Sequence, residues 1–427
     1  MSIDSYKDTH WEGISETQRH RLLHSKTFCM LPWIHLQVRP DGNAYPCCVG
    51  NSEQPLGNLK QKTMREIWND TDIREMRQAM LNDKSCKQCT TCYEHEAAGG
   101  ISMRNNANKT FRRHSSLVDQ TLPDGTVPIM KLYYWDIRFS NICNLKCRSC
   151  DVVFSSRWYE DTIKLWPYQS NTALRVQFPG KHKDDLWEQI QEHIAFVEQI
   201  YFAGGEPLIM EEHNKLLKLL IANDNTQVKL IYTTNLSELR YKQENVLDLW
   251  KHFPNISVYA SLDDMDSRGE LIRYGLDWKT IEQNIQELKQ LCPHINFMIH
   301  PTLSVLNVWN ICNFHRRMVE QDFIDAGDLQ INILINPDEY RIDILPPAVK
   351  QELQQEFLKH IEWLKSVDSL QRALNGFESA INFMMEKDNS HLIKKFWETT
   401  SALDQIRGEN TLATIPELNK ISLKRVD

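Results

Sequence analysis

From Lys131 onward the chain alternates two patterns of apolar and polar positions. Short apolar runs stand at "KLYYWDIRFS" (131–140), "VEQIYFAG" (197–204), "VKLIYTTN" (228–235), "ISVYASLD" (256–263), "INFMIHPTLS" (295–304) and "LQINILIN" (329–336). Their content of Ile, Val, Tyr and Phe predicts strands. Between them, "EEHNKLLKLLIAN" (211–223), "SELRYKQENVLDLWKHF" (237–253) and "WKTIEQNIQELKQLC" (278–292) repeat apolar residues at i, i+3, i+4 and i+7, which predicts helices. Six such β-then-α units imply a parallel sheet with right-handed crossovers, either doubly wound or a partial barrel. In both architectures ligands bind at the carboxyl ends of the strands.

The polar signatures fall at those ends. Cys143, Cys147 and Cys150 follow the first strand, and "GGEP" (204–207) closes the second. Asn235 ends the third and "SLDD" (261–264) the fourth. Four signatures on one rim predict one site.

"SNICNLKCRSC" (140–150) spaces its thiols C-x3-C-x2-C. A structural zinc takes four ligands and a four-iron cubane normally takes four thiolates. Three thiolates would hold a four-iron cluster with one iron left open for a ligand that is not protein. Half of a zinc site is the bland reading of such a triplet, but no further Cys or His pair lies nearby in the sequence to complete one.

Six of the eleven cysteines lie earlier, at Cys29, Cys47, Cys48, Cys86, Cys89 and Cys92. "RPDGNAYPCC" (39–48) predicts a hairpin with "PDG" as its turn, and "TMREIWNDTDIREMRQAM" (63–80) an amphipathic helix. A hairpin and a short helix carrying paired cysteines make a small metal-stapled module. Its C-x2-C spacing suits zinc as well as iron–sulfur. "RHSSLVDQTLPDGTVP" (113–128), polar and with two prolines, reads as a linker between this module and the larger body.

Composition narrows the function classes. With 427 residues the chain can bury two or three cores. A formal charge of −8 argues against a broad nucleic-acid surface, and "FRRHS" (111–115) is too short to make one. The first 30 residues lack an apolar h-region, and no apolar run approaches the length of a membrane span. A cytoplasmic protein without membrane or nucleic-acid partners is expected, its cysteines serving as metal ligands or free thiols rather than disulfides.

With "FSNICNLKCRSC" and "GGEP" in place, the sequence resembles the radical S-adenosylmethionine enzymes. The resemblance implies that Cys143, Cys147 and Cys150 ligate a [4Fe–4S] cluster, whose open iron takes the amino and carboxylate groups of S-adenosylmethionine. It further implies reductive cleavage to a 5′-deoxyadenosyl radical that abstracts a substrate hydrogen, with a reduced ferredoxin- or flavodoxin-type protein as electron donor. Gly204, Gly205, Glu206 and Pro207 match the family's methionine-binding motif. Ser261 matches a position that contacts the ribose or carboxylate, and Arg273 in "LIRYG" an arginine that pairs with the methionine carboxylate. Asn235 joins this cofactor-binding set. The plain alternatives are a turn serine, a surface arginine and a turn-capping asparagine.

The N-terminal module resembles the SPASM/twitch auxiliary-cluster domain, here placed before the barrel rather than after it. That resemblance implies a second [4Fe–4S] cluster on Cys29, Cys47, Cys89 and Cys92, with Cys48 and Cys86 as spares or substitutes. The expected fold class is α/β: a partial (β/α)6 TIM-like barrel with a small N-terminal cysteine-rich α+β module and a helical C-terminal tail. The expected boundaries are a polar arm over 1–27, the SPASM/twitch-like module over 28–112 and a linker over 113–130. The barrel follows over 131–350, including "NPDEYRIDILPP" (336–347), which looks like an ending of twitch-type radical proteins, and a helical extension over 351–427. Auxiliary-cluster enzymes suggest a peptide or protein side chain as substrate. The alternatives are a sugar or small metabolite, or a non-catalytic iron–sulfur or zinc protein that transfers electrons or acts as a scaffold. Asp263, Asp264 and His300 at strand ends could serve as acid or base, but strand-end aspartates commonly cap turns and a lone histidine is commonly core, so they stand outside the catalytic set. Cys292 and Cys312 in helical patterns are expected to be packing.

Overall fold

A computed structural model describes residues 11–97, 100–169 and 174–422. Two compact units divide the chain, one of residues 1–139 with 178–201, the other of residues 140–177 with 202–427.

In the first unit the expected hairpin forms between β1 (Gln37–Val38) and β2 (Asn43–Tyr45), and β3 (Gly57–Asn58) pairs antiparallel with β2. Gly42 closes the turn at φ +93°, a conformation that disfavours any side chain. The single helix expected over 63–80 is two, Met64–Trp68 and Thr71–Leu81. Asp70 breaks it: its backbone is extended and its carboxylate accepts from the Thr71 amide, so it caps a new helix. Trp68 is fully buried beneath the Arg77 guanidinium, 4.6 Å away, which also donates to Pro32 O. The stretch expected as a linker is folded. It contains a 3₁₀ helix, Arg112–Gln120, and buries Ser115, Val118, Val127 and Met130.

In the second unit β7 (Lys229–Thr234), β10 (Ile256–Ala260) and β12 (Asn296–Ile299) are neighbours in one sheet in the order β12-β10-β7, while β4 (Tyr134–Ile137) lies in the first unit and β6 (Gln199–Phe202) falls at the division between the two in the chain. Within the second unit β10 runs parallel to both neighbours, with Ile256 beside Leu230 and Ser257 beside Asn296. The sixth expected strand is short: β13 (Thr302–Leu303) pairs in parallel with β14 (Asn332–Ile333), and Leu329 bridges Ile299. Helices Glu211–Ala222 and Trp278–Leu291 lie where the periodicity puts them. The helix expected over 237–253 does not form as such. Lys242 takes a left-handed conformation at φ +56° and turns a hairpin of β8 (Arg240–Tyr241) and β9 (Glu244–Asn245), leaving only Val246–Trp250 helical behind an Asn245 cap. Two further ribbon strands, β5 (Lys146–Cys147) and β11 (Arg273–Tyr274), pair antiparallel. The C-terminal extension is helical over Pro347–Val367, Arg372–Glu386 and Ile393–Arg407. No helix among the described residues is long and apolar enough to cross a membrane.

Candidate metal-cluster sites

In the second unit the cysteine loop and the glycine turn are bonded directly to each other. The Glu206 amide donates to Ile142 O at 2.8 Å and the Gly205 amide to Phe154 O at 3.1 Å. Gly204 and Gly205 lie at φ +73° and +60°. A Cβ on Gly205 would stand 2.4 Å from Ile142 O and 2.7 Å from the Met210 methyl, so only glycine lets the turn lie this close to the cysteine loop. Glu206 faces inward, fully buried, accepting from Thr234 Oγ1 at 2.6 Å, the Asn235 amide at 2.7 Å and the Leu208 amide at 3.2 Å. Burial pushes its carboxyl up to about 7 against these donors. Glu206 therefore shapes the turn, and Pro207 starts the 3₁₀ turn Pro207–Ile209 that follows.

The cysteine loop is held along its length. The Asn141 amide group donates to Val152 O, Ser155 Oγ to Leu145 O and Trp158 Nε1 to Cys147 O. Asn235, beyond capping its turn, donates from Nδ2 to Asn144 Oδ1 at 3.0 Å and so ties the end of β7 to the loop. The Ser261 amide donates to Thr234 O at 2.7 Å, with the side chain half-buried. Arg273 is no surface residue. It is 7% exposed, sits opposite Cys147 in the β5–β11 ladder, donates from Nη2 to Asp263 Oδ1 at 2.9 Å and lies with Nη1 3.6 Å from Cys147 Sγ.

Cys147 is buried, and Cys143 and Cys150 are partly exposed. Burial, then the neighbouring Cys147 and Glu206, pushes the Cys143 thiol up to about 12; burial raises Cys147 as well, with Arg273 pulling it back. A bound cation reverses this, because a coordinating thiol gives up its proton. Three thiols on one loop, a glycine cradle beside them, and Asp263 Oδ2 and Arg273 Nε buried without a partner among the described residues fit a three-thiolate cluster with a polar ligand at its open corner. Asp263, expected as a turn cap, instead receives Arg273 Nη2 and the Thr302 amide, joining the chain after β10 to β11 and β13. Asp264 receives the Met265 amide and Asn310 Nδ2, and burial raises it to about 7. Burial lowers His300 to about 4, with Asp263 and Arg273 near it.

In the first unit a small, partly open pocket is lined by Cys29, Cys47, Cys89 and Cys92, with Leu31, Pro32, Met80, Met103 and Arg104 among its walls. Cys47 leaves the end of β2, while Cys89 and Cys92 stand one turn apart where the 3₁₀ turn Lys87–Cys89 enters the helix Thr90–Ala97. Arg104, paired with Glu96, donates to Ser25 O and Phe28 O behind Cys29. The two spare cysteines do not line this pocket. Cys86 is nonetheless hydrogen-bonded to the Cys89 side chain, with its Sγ 3.7 Å from Met76 O, and Cys48 lies near Asp136 and Arg138. Burial raises Cys29 to about 12 and also holds the Cys47 thiol well above its ordinary value. Among the described residues no three His, Cys, Asp or Glu converge as ligands of one metal ion would; a cluster spreads its thiolates over separate irons. Cys292 is fully buried at a helix C-terminus, and Cys312 is half-buried on the helix Ile311–Glu320.

Residues 29–93 match the iron–sulfur cluster-binding domain SPASM, and residues 137–315 match the radical SAM superfamily. No curated relative matches. Among solved structures, native anSMEcpe with bound AdoMet shares 18% identity over 54% of this chain and 61% of its own, at a TM-score of 0.39. Streptococcus suis SuiB bound to S-adenosylmethionine shares 12% over 69% of this chain and 62% of its own, at 0.33. TYW1 with a lysine-pyruvate adduct shares 16% over 55% and 71%, at 0.30. The chain thus spans about three fifths of the length of the first two.

Proposed function

Because the chain belongs to the radical S-adenosylmethionine superfamily through residues 137–315 and carries a SPASM iron–sulfur domain over residues 29–93, we propose that it is an enzyme that removes a hydrogen from a peptide or protein side chain. The observation that carries this reading is the direct bonding of the Cys143–Cys150 loop to the Gly204–Pro207 turn, one built to offer three thiolates and the other to bring bare backbone beside them. When bound, the reduced cluster and S-adenosylmethionine supply the electron and the adenosyl radical.

The chain's own residues do the rest. Cys143, Cys147 and Cys150 supply the thiolates. Gly204 and Gly205 keep side chains away from the cofactor's amino group, and Glu206 holds them in that shape through Thr234 and Asn235. Ser261 and Arg273 stand at strand ends where ribose and carboxylate groups would be received. Cys29, Cys47, Cys89 and Cys92 hold the auxiliary cluster, which relays an electron or binds substrate. A ferredoxin- or flavodoxin-type protein is the proposed donor, and the aqueous cytoplasm the proposed compartment. The proposed peptide class rests on the presence of the SPASM iron–sulfur module at residues 29–93 together with the resemblance to auxiliary-cluster enzymes drawn from the sequence.

The test is anaerobic reconstitution with iron and sulfide, then dithionite and S-adenosylmethionine, with 5′-deoxyadenosine measured alone, with a peptide pool and with a small-metabolite pool. Stimulation by peptides is expected. No 5′-deoxyadenosine in any arm from protein with both clusters intact would overturn the activity, and stimulation by metabolites alone would overturn the substrate class.

A further inference from the structure

The C-terminal helix carries no chemical motif, yet its last turn and the residues just after it meet the side chain of the residue that follows the second cysteine of the radical-cluster loop. Arg148, inside the C-x3-C-x2-C motif, has a fully buried side chain, and its Nη2 donates to Asp404 Oδ1 at 2.5 Å and to Glu409 Oε2 at 2.7 Å. Two residues earlier, Lys146 Nζ lies 2.8 Å from Asp161 Oδ1, and the other oxygen of Asp161 receives Arg407 Nε at 2.8 Å. Arg407, also fully buried, lies 4.8 Å from the Trp158 ring, whose indole N–H donates to Cys147 O.

Local structure makes this reach possible. Gly408 ends the helix in the left-handed conformation at φ +69°, returning the chain so that Glu409 meets Arg148 beside Asp404. Asp404 is fixed in turn by the Thr411 amide at 2.8 Å and hydroxyl at 2.7 Å. Three buried or half-buried cations thus face three carboxylates. A buried charge is costly without a counter-charge, so the two carboxylates gathered on Nη2 hold the Arg148 guanidinium in place, and with it the backbone carrying Cys147 and Cys150.

We propose that the segment Asp404–Thr411 is a clamp that positions the radical-cluster loop, with Asp404 and Glu409 as positioning residues acting through Arg148. The proposal rests on the cluster assignment to Cys143, Cys147 and Cys150. It makes the C-terminal extension part of the cluster site, because ligand orientation, not ligand identity alone, decides where the open iron faces.

The test compares D404N/E409Q with K395A/T399V in the reconstituted, reduced holoprotein. Lys395 and Thr399 lie on the same helix but bond to Asp338 and Glu339, so the second variant weakens the helix without touching the loop. Electron paramagnetic resonance is recorded with and without S-adenosylmethionine, the auxiliary cluster serving as internal reference. D404N/E409Q should lose the S-adenosylmethionine-induced change of the radical-cluster signal and lower 5′-deoxyadenosine formation roughly 10- to 100-fold, with the auxiliary signal unaltered. K395A/T399V should keep both. R148K, which keeps the charge but not the planar fork, should fall between, and it decides the question if D404N/E409Q does not fold. An unaltered spectral response in D404N/E409Q, or in R148K if that variant has to decide, overturns the clamp, as does equal loss in K395A/T399V. Wild-type protein showing no response to S-adenosylmethionine would instead overturn the cluster assignment beneath it.

Discussion

The two thiol sites are built on opposite plans. The loop at Cys143–Cys150 brings three thiols from one short segment, leaves two partly exposed, and is bonded along its length to Asn235, Ser155, Trp158 and the glycine turn. The cavity of the first unit gathers four thiols from three separate elements, Cys29 before a 3₁₀ turn, Cys47 after β2, and Cys89 with Cys92 on a helix start. No similar lattice of hydrogen bonds is needed there if the metal itself ties the elements together, as in small metal-stapled domains. An open site has to be shaped by protein, because its ligand comes and goes. A saturated one can be shaped by its occupant.

The largest expected effects break this comparison outright. C143A/C147A/C150A should lose all 5′-deoxyadenosine formation and about half of the bound iron, while thermal melting of the first unit stays put. Zinc, or no metal, in the remaining site would show that the four-thiol cavity holds no iron cluster. Conversely, C47A should remove the auxiliary iron and cost several kcal/mol of folding stability, because the stapled elements lose their common tie. C48A, its sequence neighbour, should leave the iron content unchanged, since its thiol faces Asp136 and Arg138 instead of the cavity. Iron analysis of the two single variants reads the difference directly. Equal loss in both would mean that the cavity wall does not define the ligand set.

These contrasts also show which features could be read from residues alone. The three-thiol loop, the glycine turn and the paired cysteines are local patterns, and local patterns survive in sequence. Asp263 reads in sequence as a turn cap, and Arg273 as a match to the family's carboxylate-pairing arginine or a plain surface arginine; their mutual pairing is hidden because it spans ten residues across a strand end and a ribbon that no periodicity announces. Arg148 meets Asp404 from 256 residues away, a distance over which hydrophobic pattern carries no information. The helix expected over 237–253 failed for a related reason. Its apolar spacing was correct for Val246–Trp250, but a left-handed Lys242 and the ladder of β8 with β9 took the preceding residues.

A smaller effect tests how tightly the open site is shaped. In G205A the new methyl would meet Ile142 O and the Met210 methyl, and the backbone would hold a strained φ of +60°. A cost of about 1–3 kcal/mol is expected. If it falls on the bound state, affinity for S-adenosylmethionine drops roughly 5- to 150-fold, read by equilibrium binding to the reconstituted protein. Unchanged affinity in a folded variant would mean that the turn does not approach the cofactor.

The finest prediction concerns Arg273, which faces both a thiol and a carboxylate. Its Nη1 lies 3.6 Å from Cys147 Sγ and its Nη2 2.9 Å from Asp263 Oδ1. Reducing a cluster adds negative charge, so a cation beside a ligand sulfur favours the reduced form and a carboxylate behind that cation offsets it. Removing the cation in R273M should therefore move the midpoint potential of the radical cluster to more negative values. Neutralising the carboxylate in D263N should move it the other way. Each shift is expected on the order of 59 mV, a tenfold change in the equilibrium of a one-electron couple. Redox titration followed by electron paramagnetic resonance measures both, and the auxiliary cluster, held by its own four thiols, should not move. Shifts of the same sign would defeat the electrostatic account. Weakened binding of S-adenosylmethionine by R273M at an unchanged potential would instead assign the guanidinium to the cofactor's carboxylate. The buried Nε, without a partner among the described residues, leaves a donor for such a ligand, so one arginine can serve the sulfur and the open corner together. In that case R273M moves the potential and the affinity at once, while D263N moves the potential more than the affinity.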